Sequence, residues 1–167
     1  MKKIVTRILI IVFFTGFSNV QYAQTIPNFD LIKLEKVSDF KSAEPFALQT
    51  ANYLLSNPIK KGSTDRVKSL EFLFKWMSGT PGYSYNFDEA RTSISKGNTE
   101  ILGIYMAALV KYTLENKDST HNPKLVKLNA VTLLLNYCEN KNNNIKMPKQ
   151  LKAFAEARAK GTLEQEL

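Results

Sequence analysis

The sequence predicts an all-α protein, built as a single compact antiparallel helical bundle or a helical-hairpin stack of about five helices. Two observations support this fold class. Apolar residues recur every three or four positions in most segments, and short connections containing Pro, Gly or Asn separate those segments. The chain has 167 residues, 44% of them apolar, which is enough for the core of one domain.

The N-terminal part of the domain has a weaker helical pattern than the rest. Leu31, Leu34 and Val37 are three positions apart, a spacing that suits either a short helix or an extended segment. We therefore predict an N-terminal docking segment at 24–41 and a helical domain at 42–167.

The first two long helices are recognised by their ends. Ser42 is expected to cap a helix that carries Pro45 in its first turn and stops at Asn57. One of residues 63–65 caps the next helix, and Gly79 fits the position that ends it. The apolar residues of this second helix predict a buried face, widened by Phe72 and Trp76. That face consists of Val67, Leu70, Leu73, Phe74 and Met77.

The segment 83–87 has a different character. Tyr83, Tyr85 and Phe87 alternate with Ser84 and Asn86, which is the period of an extended strand and not of a helix. No second strand of comparable strength follows in the sequence. The pattern therefore predicts a short extended aromatic segment that lies across the helices.

Four further helical elements complete the prediction. Residues 88–91 suit a short turn of helix, and residues 98–115 form a long helix that begins at an Asn cap. Asn122 is expected to cap the next helix, which has Pro123 at its first position and runs to 138. The final helix spans residues 147–161 and ends at a glycine.

The first 23 residues have the features of a secretory signal peptide. Lys2, Lys3 and Arg7 precede or flank a short apolar run, and small or polar residues follow it. The run is shorter than the roughly 20 residues that a membrane span needs. We expect cleavage after Ala23, no stable membrane span afterwards, and a periplasmic or extracellular location. An uncleaved leader that tethers the protein is the alternative.

Loss of the leader reduces the formal net charge from +8 to +5. The remaining basic excess is concentrated at 141–160, which offers a surface for an anionic envelope component. A solvated helix face is the other interpretation of this charge run. Nucleic acid is not an expected partner, because the chain is predicted to be exported and contains no nucleic-acid-binding motif.

The composition excludes several common kinds of catalytic site. One His and one Cys cannot form a Cys/His zinc site, and one Cys cannot form an internal disulfide. The chain has no Gly-x-Ser-x-Gly elbow and no phosphate-binding loop. We predict no catalytic residues, no metal site and no cofactor. Cys138 is expected to be an inert thiol inside a helix.

The candidate binding surface combines aromatic and basic residues. Trp76, Tyr83 and Tyr85 bring large apolar area with polar edges, and Lys149 and Lys152 belong to the basic end. The competing interpretation is that the tryptophan completes a core helix while the tyrosines cover the open end of the bundle.

Three stretches of the chain carry a resemblance to known proteins. The stretches 75–85, 104–109 and 127–131 resemble a group of small exported bacterial α-helical proteins of unknown function. The resemblance covers most of the mature chain and implies no activity.

The leading functional hypothesis is therefore a non-enzymatic exported domain. It would bind a protein, a peptide or a cell-envelope component. The alternative hypothesis is a small envelope hydrolase of an unrecognised class, in which His121 and an acidic residue would act.

Overall fold

The computed structural model describes residues 25–167, and the predicted signal peptide at 1–23 lies outside this range. The described residues contain seven α-helices and no β-strand, which confirms the all-α fold class. The helices are α1 (Val37–Ser42), α2 (Glu44–Ser56), α3 (Thr64–Gly79), α4 (Phe87–Glu89), α5 (Thr99–Glu115), α6 (Pro123–Glu139) and α7 (Lys149–Ala159). Across residues 25–167, none of these helices has the length and apolar character needed to span a membrane.

Five of the helices are at least eleven residues long, and side-chain caps explain where three of them begin. Ser63 accepts a hydrogen bond from a first-turn amide of α3, and Asn98 and Asn122 do the same for α5 and α6. The predicted cap at Ser42 is wrong. Ser42 ends α1, where its hydroxyl donates to the main-chain oxygen of Ser38, and Ala43 precedes α2 instead.

Helix α5 is the central element of the core. It packs against α2, α3 and α6, and eleven of its seventeen residues are buried. Gly103 brings α5 close to α3, since a Cβ atom at this position would lie 2.8 Å from the side chain of Leu70. A helix that is apolar on nearly all sides needs neighbours on several sides, as found here.

Helix α3 buries much of the face that the sequence predicts, but the prediction is wrong at two positions. Val67 and Phe74 are each 53% exposed, and Arg66 and Ser69 are buried. The burial of Arg66 follows from a partner on another element. The Arg66 guanidinium pairs with Glu100 of α5 at 3.4 Å, an attraction that an apolar periodicity does not register.

The segment before α2 packs against the helices. A 3-10 turn at Phe29–Leu31 places the ring of Phe29 on that of Phe72, with 4.8 Å between ring centroids. The side-chain amide of Gln49 on α2 donates to the main-chain oxygen of Thr25 at 2.9 Å. Residues 25–41 therefore combine a short turn, an extended stretch and the start of α1.

Candidate functional site

A cavity of about 680 Å³ lies between the segment 82–86, helices α5 and α6, and the C-terminal 3-10 turn Leu163–Glu166. Tyr105 and Thr113 line it from α5, and Leu128 lines it from α6. Gln165 lines it from the C-terminal turn. A volume of this size falls in the range of about 300–1,000 Å³ that small-molecule and cofactor sites occupy.

The aromatic wall of the cavity rests on the core tryptophan. Trp76 is fully buried, and its indole N–H donates to the main-chain oxygen of Phe40 at 2.8 Å. The rings of Tyr83 and Tyr85 lie 6.1 and 6.4 Å from the Trp76 ring, centroid to centroid. The three predicted aromatic site residues are thus brought together, but only the two tyrosines line the cavity.

The Tyr85 hydroxyl is the unusual group in this wall. It is buried and has no hydrogen-bond partner among the described residues. Burial raises the pKa of Tyr85 above its ordinary value, and Thr113 opposes that rise without forming a hydrogen bond of normal geometry. The hydroxyl therefore stays protonated, and neighbouring protein atoms cover its oxygen.

Tyr105 contributes a second protonated phenol to the cavity. Burial raises the pKa of Tyr105, and the nearby Glu89 carboxylate raises it further. A phenol that keeps its proton can donate a hydrogen bond or present its ring as an apolar surface. Together with Tyr85, it gives the cavity aromatic area on two of its sides.

The charged groups of the cavity centre on Lys127. Its ammonium donates to the Glu89 carboxylate and to the main-chain oxygen of Leu167. The two paired side chains are 17% and 38% exposed, so water screens the pair only in part. Lys124 and Glu164 also line the cavity, which therefore has charges of both signs.

Sequence reasoning did not find Lys127, Glu89 or the C-terminal turn as parts of a site. Lys127 is 38 residues from Glu89 and 40 from Leu167 along the chain, so no local motif joins these residues. The turn is held by the buried side chain of Leu163 and packs against α6 and α7. The alternation at 83–87 was the one sequence signal that pointed to this region.

The predicted basic residues lie elsewhere. Lys149 and Lys152 are exposed on α7, and neither lines the cavity. Within residues 25–167, no ion pair engages either lysine, and no hydrogen bond joins them to Tyr83 or Tyr85. The structure therefore separates the aromatic and the basic halves of the predicted surface.

The residues named for the hydrolase alternative are also dispersed. His121 is exposed and does not line the cavity. Cys138 is buried on α6, and burial raises the pKa of its thiol to about 12. Glu89 and Glu164 are the carboxylates that line the cavity, and Glu89 is paired with Lys127.

Comparison of the chain with protein-family models, curated proteins and solved structures finds no match. Among residues 25–167, no three His, Cys, Asp or Glu side chains are grouped so that they could hold a metal ion. Function is therefore inferred from the residues and geometry of the cavity.

Proposed function

We propose that this protein is a non-enzymatic binding protein and that its cavity holds a peptide or a fragment of the cell envelope. The observation that carries the proposal is the cavity of about 680 Å³, in which aromatic residues and groups of both charges line one space. Its volume and its mixed lining are those of small-molecule and peptide sites.

The chemistry of the lining favours an amphipathic ligand without a large net charge. Tyr105, Leu109 and Leu128 offer apolar area, and Thr113 and Gln165 offer hydrogen-bonding groups. The lysines and glutamates of the lining are equal in number, two of each. Peptides and envelope fragments combine apolar and polar groups in this way, and the predicted export would bring the protein to them.

The exposed lysines of α7 support a second, electrostatic contact. Lys149 and Lys152 have no ion-pair partner among the described residues, so their charge is free to attract an anionic envelope component. Vesicles containing phosphatidylglycerol would test this contact. The double substitution Lys149→Glu and Lys152→Glu should abolish sedimentation with such vesicles, and unchanged sedimentation would contradict the contact.

The hydrolase alternative is favoured by one observation only, the presence of Glu89 and Glu164 in one cavity. Paired carboxylates perform acid–base chemistry when both are free to exchange protons with a substrate. The ion pair with Lys127 occupies Glu89, and His121 lies outside the cavity, so we favour binding. If the protein hydrolysed an envelope substrate and Glu164→Gln abolished this activity, the hydrolase alternative would be favoured over binding.

The binding proposal is tested with the fluorescent probe 8-anilinonaphthalene-1-sulfonate, which combines apolar rings with one anionic group. We expect saturable binding at one site. Val126→Phe should abolish binding, because Val126 lines the cavity and the added ring fills it. Val67→Phe is the matched control, since it makes the same change on the exposed face of α3.

The two variants must show equal thermal stability for the comparison to hold, which circular dichroism would verify. Absence of saturable binding to the unsubstituted protein would overturn the proposed site. Equal binding by Val126→Phe and Val67→Phe would overturn it as well.

A further inference from the structure

The segment 82–86 contributes five consecutive residues to the cavity lining. In an extended chain, successive side chains point to opposite sides. A segment that presented one of its faces would therefore line a cavity with alternate residues only. Gly82 lies in a bend, and the four residues 83–86 that follow it all border the cavity, so the main chain of this stretch lies beside the cavity.

This edge has free main-chain groups. No amide or carbonyl of residues 82–85 forms a main-chain hydrogen bond with any other part of residues 25–167. The next residue, Asn86, accepts a main-chain hydrogen bond from Ala90 at the start of the following helical turn. Residues 82–85 thus resemble the unpaired edge of a sheet, which readily pairs with another extended chain.

The edge is also held in place. The rings of Tyr83 and Tyr85 pack beside the buried Trp76, and the Asn86 side chain accepts from the amide of Glu89 at 3.0 Å. A fixed edge loses little conformational entropy when a partner pairs with it, which favours binding.

Another side of the cavity is lined by the C-terminal turn, which contributes Gln165. The side-chain amide of Gln165 offers both a donor and an acceptor, the two groups that a peptide main chain requires.

We propose that the ligand is an extended peptide that pairs through its main chain with residues 83–86, as an added strand. This inference rests on the proposed function and names the ligand class of the same cavity. Four residues at about 3.3 Å each give a paired length of about 13 Å. Main-chain pairing supplies affinity that depends little on sequence, while the pockets beside the edge select side chains.

Hydrogen exchange followed by NMR tests the pairing directly. The probe is an acetylated and amidated pentapeptide of alternating serine and valine, which has a strand-forming pattern. Because main-chain groups alternate between the two edges of a strand, protection should appear at alternate amides. We expect slowed exchange at residues 83 and 85, or at 84 and 86, but not at all four.

Two N-methylated versions of the probe provide the matched controls. Each carries methyl groups on the amides of one edge of the peptide. The peptide methylated on the edge that pairs with the protein should bind at least tenfold more weakly than the unmethylated probe, because the methyl groups block the pairing. The peptide methylated on the other edge should bind as tightly as the unmethylated probe. Equal binding of both patterns would overturn strand addition, and so would the absence of alternate protection.

The outcome for the sulfonate probe separates this inference from the proposed function. Saturable binding of that probe without binding of the pentapeptide would overturn strand addition and leave the cavity as a site for non-peptide ligands. Loss of both would overturn the two proposals together. Val126→Phe should abolish binding of both probes.

Discussion

The ring of Tyr85 lies 6.4 Å from the ring of Trp76, so the wall of the cavity rests directly on the core. Trp76 is the one tryptophan of the chain, and its indole is fixed by the hydrogen bond to Phe40. A ligand that moves Tyr85 will therefore change the environment of a single fluorophore. This contact links the stability of the fold to the shape of the proposed site.

Replacement of Trp76 by phenylalanine should lower the free energy of unfolding by about 2–3 kcal/mol. The substitution leaves a gap in the core and leaves the Phe40 carbonyl without its donor. Urea unfolding followed by circular dichroism measures the loss. Phe74→Leu, at a half-exposed position of α3, is the control and should cost less than about 1 kcal/mol. Similar losses in both variants would contradict the central role of Trp76.

Gly79→Ala should destabilise the protein by about 1–2 kcal/mol, because overpacking forces neighbouring groups to shift. A Cβ atom at Gly79 would lie 2.2 Å from the ring of Phe40, whereas a Cβ atom at Gly82 would meet nothing within 4 Å. Gly82→Ala is therefore the control, with a change near zero. Thermal unfolding of both variants provides the comparison. Equal melting temperatures would show that α1 and α3 do not pack as closely as described.

Lys127→Met should loosen the C-terminal turn. An exposed ion pair contributes about 0–1 kcal/mol to the free energy of unfolding, and breaking a buried pair costs about 3–5 kcal/mol. The pair between Lys127 and Glu89 is partly exposed, so its loss should cost about 1–2 kcal/mol. Hydrogen exchange at residues 163–166 should accelerate as the bond to Leu167 is lost. Lys124→Met is the control, because Lys124 also lines the cavity but has no ion pair among the described residues. Unchanged exchange in Lys127→Met would contradict the anchoring role.

Stability should fall as the pH rises above about 8.5, the ordinary pKa of a cysteine thiol. Burial raises the pKa of Cys138 to about 12 and also raises the pKa values of Tyr85 and Tyr105. The folded protein keeps these protons at pH values where the unfolded chain releases them, so this stability is complete at lower pH and is lost with rising pH. Urea unfolding at pH 7 to 11 measures the loss.

Cys138→Ala isolates the contribution of the thiol to that loss. The variant should show a flatter decline between about pH 8.5 and 10, where tyrosines of the unfolded chain still keep their protons. An unchanged decline in the variant would mean that the thiol is not protected by burial. Slow alkylation of Cys138 in the folded protein is the accompanying expectation.

The sequence predicted most helices because their signals are local. The caps at Asn98 and Asn122 and the apolar periodicity between them depend on residues a few positions apart. One part of the core face of α3 could not be predicted from local signals. The apolar pattern predicted that Val67 is buried. Arg66 is buried instead, because it pairs with Glu100 of α5, and Val67 is exposed.

The candidate site was predictable only in its aromatic part. The alternation at 83–87 indicated an extended segment without a partner strand. Residues 83–86 are indeed outside any helix, but the prediction is wrong at Phe87, which begins α4 because Asn86 caps that helical turn. For Trp76 the sequence left two interpretations open, a binding surface or the core, and the Phe40 carbonyl, 36 positions away, meets it inside the core. The cavity itself depends on the docking of the C-terminal turn, which no short pattern encodes.

The central claim is that the cavity beside residues 82–86 is the binding site. A two-dimensional ¹H–¹⁵N NMR titration of residues 24–167 with the alternating pentapeptide tests it most directly. We predict saturable shifts at the amides of residues 82–86 and 124–128, together with a change in Trp76 fluorescence. Shifts confined to α7 around Lys149 and Lys152, or no saturable shifts at all, would contradict the claim.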